Sequence, residues 1–197
     1  MSPDVNALAA LARHWLRRGI RRTDAIGDEL RRVDALIPQV EAAPASPPPA
    51  DHPALRHLPT AVQGFRDLDA LTRNAPLLPW RHGYQPDPSR PGLYDGLAWT
   101  EIIGPEAPLR HSALCVGFLL LAPHTHYPAH AHPAVEVYHV ISGLTEWTAG
   151  QTTTERRPGD FILHPSGMRH AMSTAAEPLL AIYTWTGDVT SSSRFVA

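Results

Sequence analysis

The apolar positions divide the chain into two textures. Over residues 4 to 19, DVNALAALARHWLRRG, Leu8, Leu11 and Trp15 recur at helical spacing, and the run stops at Gly19. Thr23 or Asp24 can cap a second helix reaching about Val40, with Ile26, Leu30, Val33 and Leu36 as its stripe. The stretch APASPPPADHP, residues 43 to 53, breaks any helix and reads as an extended linker. A third helix is expected over about 60 to 74, carrying Val62, Phe65, Leu68 and Leu71. From about residue 94 the pattern changes. LAWTEIIG, ALCVGFLLLA, AVEVYHVISG, LTEWTAG, TTTERRPGD, FILHPSG and LLAIYTWTG alternate with turn signals, as in an antiparallel sandwich or barrel. SG at 142–143, AG at 149–150 and PGD at 158–160 fit hairpin turns. The expected fold is mainly β: a helical segment over 1–75 packed on a sandwich or barrel over 76–197.

Composition narrows the class without changing this picture. A hydrophobic content of 43% and a charged content of 18% in 197 residues suit one soluble domain with a real core. The helices are arginine-rich, but their acidic residues balance them, and the net charge of −2 gives no reason to expect nucleic acid or an anionic membrane. They read as a cover on the sheet. No apolar run suits a membrane span, and the N-terminus has the reverse order of a secretory signal, so the cytoplasm is expected. The one cysteine, Cys115, sits among apolar neighbours and reads as a packing residue. All 17 basic side chains are arginine; without lysine there is no Schiff-base chemistry and no internal aldimine. No phosphate-binding glycine motif or nucleophile elbow appears.

Twelve histidines are many for this length, and half lie between His111 and His139. From His130 the offsets to His132, Glu136 and Tyr138 are all even, which places them on one face of a strand unless Pro133 interrupts it. With His170 these residues offer imidazole and carboxylate donors of the kind that suits zinc, iron, manganese or nickel rather than calcium or magnesium. For any single histidine, a local hydrogen bond is the commoner role.

The joint pattern is more specific. His130, His132, Glu136 and Gly143 form H-x-H-x3-E-x6-G, and Gly159, Pro165, Gly167 and His170 form G-x5-P-x-G-x2-H. These resemble the two motifs of the cupin superfamily, with His124 where glycine is usual and Thr174 where asparagine is usual. The resemblance implies a jelly-roll barrel whose metal ligands are His130, His132, Glu136 and His170. Gly143 and Gly167 would then sit in tight turns. Retention of Glu136 argues against the three-histidine thiol dioxygenases.

Tyr127, Pro128, His130, His132, Pro133, Glu136 and Tyr138 also match the Y-P-x-H-x-H-P-x-x-E-x-Y arrangement of cupin-type dimethylsulfoniopropionate lyases. The N-terminal helical segment and Trp185 fit the same family. The resemblance implies one divalent zinc, iron or manganese ion, no organic cofactor, and a small sulfonium carboxylate as substrate. It implies a β-elimination with Tyr138 as first candidate base and Tyr127 as second. Trp185 would offer its ring to the sulfonium, and His126 is the outer histidine expected to face the pocket. His124, His139 and His164 are expected in outer or surface roles, and Trp147 and Tyr183 in strand packing. RHGYQPDPSRPG, residues 81 to 92, reads as a lid or a connector. Cupins often pair barrels, so a homodimer through the N-terminal helices is an open expectation. Other cupin enzymes, such as a dioxygenase or a sugar isomerase or epimerase, and a non-catalytic carboxylate binder are the alternatives.

Overall fold

The computed structural model describes residues 2–43, 47–85, 87–90 and 92–196, so the expected linker lies partly outside the described residues. Asp4 caps α1 (Val5–Leu16) by accepting the Ala7 N–H, and Asp24 caps α2 (Ala25–Leu36) by accepting the Gly27 N–H. The third expected helix is broken. α3 (Leu58–Ala61) and α4 (Asp69–Asn74) are separated by a turn in which Gly64 takes φ +86°, a conformation that no regular helix continues through. Its Leu68 and Leu71 are nonetheless fully buried. A short α5 (Leu93–Gly96) leads into the sheets. No described helix is long and apolar enough to cross a membrane.

The strands are β1 (Glu41–Ala42), β2 (Leu97–Gly104), β3 (Leu109–Arg110), β4 (Leu114–Leu121), β5 (His126–Ala131) and β6 (Val135–Ser142). β7 (Thr145–Ala149), β8 (Thr152–Arg156), β9 (Phe161–His164), β10 (His170–Thr174), β11 (Leu179–Thr186) and β12 (Arg194–Phe195) follow. A seven-stranded sheet runs β1-β3-β2-β4-β11-β6-β9, and a five-stranded sheet runs β12-β5-β10-β7-β8. From β4 onward the chain crosses between sheets at every connection but one. Of the three turns expected to be hairpins, only that at Gly150 joins paired strands, Ala149 opposite Thr152. The turns at Gly143 and Gly159 are corners between sheets. Gly143 has φ +86°, and a Cβ there would lie 2.2 Å from the Pro178 carbonyl oxygen.

The large sheet is buried on both faces, which is why all eight residues of β4 are buried and alternation is invisible in its sequence. Its outer face, including Phe118, Leu120, Val137 and Ile182, shares one core with Leu8, Trp15, Leu30 and Leu71 of the helices. Its inner face, including Leu119, Tyr138, Val140 and Tyr183, packs on Tyr127, Trp147 and Met172 of the small sheet. Each fully buried leucine contributes about 1.5–3 kcal/mol to this sandwich.

His139 sits on the outer face against Trp15, stacks on Phe161 at 4.1 Å, and donates its Nδ1–H to the Asp160 carbonyl. Burial lowers its pKa from 6.5 to about 4, against the opposing Asp160 carbonyl and with help from Arg18. A depressed folded pKa stabilises fully above 6.5, and the contribution is lost as pH falls toward 4. The difference is about 3 kcal/mol. Urea unfolding of wild type and His139→Leu at pH 7 and pH 4.5 should show a smaller acid loss in the variant; equal losses would refute this account.

Candidate metal and active site

Cross-strand rungs assemble the site. Glu136 on β6 lies between Trp185 of β11 and His164 of β9, and Tyr138 one rung along lies between Tyr183 and Ile162. Tyr138 and Val140 belong to the inner core, whereas Val137 and Ile141 belong to the outer one, as the period of two requires. On the facing sheet His130 of β5 is paired with His170 of β10. His132 lies just past the end of β5, beside Pro133.

Among the described residues His132, Glu136 and His170 form a compact buried group whose ligand atoms all lie within 4.8 Å of one another. Glu136 Oε2 is 3.1 Å from His132 Nε2 and 3.3 Å from His170 Nε2. The imidazoles are oriented from behind. His132 Nδ1 donates to the Ala134 carbonyl at 3.1 Å, His170 Nδ1 to Met168 at 2.9 Å, and His130 Nδ1 to Pro128 at 2.8 Å. A neutral imidazole has one proton, so each of these rings presents a bare Nε2 lone pair. Lone pairs converging on a carboxylate repel unless a cation stands between them, and the buried His170 Nε2 has no hydrogen-bond partner. The donor set therefore fits a divalent transition ion. Without one, a proton serves. Burial disfavours charge on His132, but Glu136 outweighs it and raises the imidazole, while the same contacts hold Glu136 well below the carboxylate range despite its burial.

The other expected residues divide. His130 adjoins the group, its ring 4.0 Å from that of His170, and stacks on Tyr127 at 3.8 Å. Burial, then His170, keeps it neutral. Trp185 tilts over His132 at 4.1 Å and donates its indole N–H to Glu136 Oε1 at 2.7 Å. Tyr127 and Tyr138 are buried, and burial raises both phenols well above 10, Tyr84 adding for Tyr127 and Glu136 for Tyr138. His126 is not brought in. It is exposed and hydrogen-bonded to Ser173 Oγ. The cause is an irregularity in β5, where the four residues from Tyr127 to His130 oppose the three from His170 to Met172. This bulge turns Tyr127 inward with His130 and leaves His126 outside.

A cavity of about 340 Å³, small for a ligand site, reaches Glu136, Tyr127, Tyr138, Tyr183 and Trp185. Arg81, Trp99, Glu101 and residues 189–193 are among its other walls. His132 stands behind Trp185, and His130 behind Tyr127. Sequence reading missed Tyr84, whose hydroxyl meets that of Tyr127 at 2.7 Å and Ser193 Oγ at 2.9 Å. The start of the stretch at 81–92 is thus part of the cavity wall; Pro86 and Pro91 within it lie outside the described residues. It also undervalued His164, which is fully buried and bonded to Glu136 Oε2 at 2.9 Å. The alternation Ile162, His164 on β9 was the available signal.

Comparison with known proteins gives a consistent answer. DddL of Cereibacter sphaeroides is 36% identical over 166 residues, covering 79% of this chain and 69% of that protein. The dimethylsulfoniopropionate lyase DddQ of Ruegeria pomeroyi is 30% identical over 172 residues, covering 85% and 84%. A crystal structure described as of the DMSP lyases RdDddP and RnDddQII superposes with a TM-score of 0.80 at 25% identity, over 98% of this chain and 97% of that one. The crystal structure of Ruegeria pomeroyi DddQ does so at 0.77 and 23% identity, over 97% and 96%, a likeness of fold. The fold is the expected cupin barrel with its helical segment. The family profile for dimethylsulfoniopropionate lyases matches residues 24–181, from the cap of α2 through the group of His132, Glu136 and His170 to β11, and on this match the chain belongs to that family.

Proposed function

We propose that the protein is a metal-dependent carbon–sulfur lyase that splits dimethylsulfoniopropionate into dimethyl sulfide and acrylate. The observation carrying this reading is that one small cavity brings two phenols, Tyr127 and Tyr138, against Glu136 and the ring of Trp185. His132, Glu136 and His170 would hold the zinc, iron or manganese ion, with His130 as a further donor beside them. When bound, such an ion supplies positive charge that polarises a substrate carboxylate and lowers a neighbouring phenol.

Tyr138, as phenolate after its own proton has passed to solvent, takes the proton from the carbon next to the carboxylate. The C–H electron pair becomes the new carbon–carbon double bond, the β-carbon–sulfur bond breaks, and its electron pair leaves with sulfur. The proton ends on the tyrosine oxygen. Tyr127, tied to Tyr84, is the second candidate for the base. Trp185 faces the sulfonium, a contact worth roughly 0.5–2 kcal/mol. A Trp185→Leu variant should therefore raise KM roughly 2- to 30-fold. Trp185→Phe keeps a ring but loses the donor to Glu136, so it should restore most of KM while lowering metal occupancy. An unchanged KM in the leucine variant would remove the cation role.

The reading as a whole is tested by supplying dimethylsulfoniopropionate to purified protein loaded in turn with zinc, iron and manganese. Equimolar dimethyl sulfide in the headspace and acrylate in solution are expected. No product with any of the three ions would overturn it.

A further inference from the structure

We infer that His164 positions the Glu136 carboxylate, and that Trp147 fixes the tautomer of His164 and so keeps it from acting as a ligand itself. This rests on Glu136 being a metal ligand, but not on the identity of the substrate.

The argument follows the protons. An indole N–H can only donate, and Trp147 Nε1 points at His164 Nε2 from 3.1 Å. His164 Nε2 must therefore carry its lone pair. The single proton of the neutral ring is then on Nδ1, 2.9 Å from Glu136 Oε2, to which it donates. Trp147 is 1% exposed, His164 0% and Glu136 1%, so water does not compete for these groups. The other carboxylate oxygen, Oε1, accepts from Trp185 at 2.7 Å. Each oxygen thus has one dedicated N–H donor, and rotation of the carboxylate would break both bonds at once. The lone-pair capacity left on Oε2 faces His132 and His170 Nε2 at 3.1 and 3.3 Å.

The reverse tautomer is disfavoured twice. It would set an imidazole N–H against the indole N–H, and a bare Nδ1 against the carboxylate. A ligating His164 requires that same bare Nδ1. The parallel stack of His164 on His170, 3.9 Å between centroids and 23° between planes, further fixes the ring. Outer donors of this kind typically change metal affinity roughly 10- to 100-fold when removed.

The test has two arms. In metal-free protein, long-range ¹⁵N–¹H correlation spectra distinguish the two tautomers directly. His164 should be protonated on Nδ1 in wild type and lose that preference in Trp147→Phe. Zinc affinity is then measured by competition with a chromophoric chelator. His164→Ala should bind roughly 10- to 100-fold more weakly, and His164→Asn, whose amide N–H replaces Nδ1–H, should recover most of the loss. A protonated Nε2 in wild type overturns the inference, even should the alanine variant fail to fold. So does a folded alanine variant whose affinity is within twofold of wild type. Absence of zinc binding by wild type would overturn both this role and the metal site, whereas tight binding without acrylate production would remove only the lyase reading.

Discussion

Tyr138→Phe should lower kcat for acrylate formation roughly 10²- to 10⁴-fold, the usual weight of a general base, with the metal content unchanged. The substitution deletes one oxygen and keeps the ring that packs against Trp147 at 4.9 Å and Tyr183 at 6.2 Å. No backbone or core contact is lost, so folding and KM should change little. Burial, reinforced by the Glu136 charge, keeps the phenol protonated in the metal-free protein. A base role therefore requires the loaded site, and turnover should vanish with chelator in wild type as well. Metal analysis and steady-state rates on the same samples check this. A variant retaining more than a tenth of wild-type kcat would exclude Tyr138 as the base, and a larger loss in Tyr127→Phe would transfer the role to that residue.

Glu136→Ala should empty the site. The alanine leaves the indole N–H of Trp185 and the Nδ1–H of His164 without acceptors, and His132 without its counter-charge. Loss of a ligand carboxylate should cost more than loss of a partner that merely orients one, so metal affinity should fall by more than roughly 100-fold. Chelator competition measures this directly. Retention of affinity within tenfold of wild type would show that the histidines alone define the site and that the carboxylate has another task.

Seven strands, β2, β4, β6, β7, β8, β9 and β11, were legible because their lengths and turn glycines follow from local chemistry, whereas β3, β5, β10 and β12, short or interrupted by proline, were not among the strands read from the apolar pattern. The parity of Glu136 and Tyr138 was legible for the same reason: β6 is a regular strand with a different core on each face. His126 was not, because its orientation depends on an extra residue in β5 that only the pairing with β10 reveals. The helix expected over 60–74 failed at Gly64, where apolar spacing continued but the backbone took a positive φ. Turns at Gly143 and Gly159 could be located but not assigned to corners, since sheet membership is a tertiary property. The candidate ligands were legible through the motif resemblance. What supports them was not: His164, Trp147 and Tyr84 come from β9, β7 and the stretch before α5, and only folding brings the first two behind Glu136 and the third to Tyr127. Cys115, read as a packing residue, is one: it is fully buried, and burial, reinforced by Glu101, pushes its thiol far above the range in which it could react.

The three imidazoles that each commit Nδ1–H to a carbonyl two residues away have their orientations set by the fold itself. The loss of side-chain freedom that ligation demands is then met when the chain folds, not when an ion arrives. Such a rigid array cannot reshape itself to favour one first-row ion over its neighbours. In the proposed metal role, exchange among them should leave the protein conformation unaltered, and the cell's metal supply, more than the binding site, would decide which ion a given molecule carries.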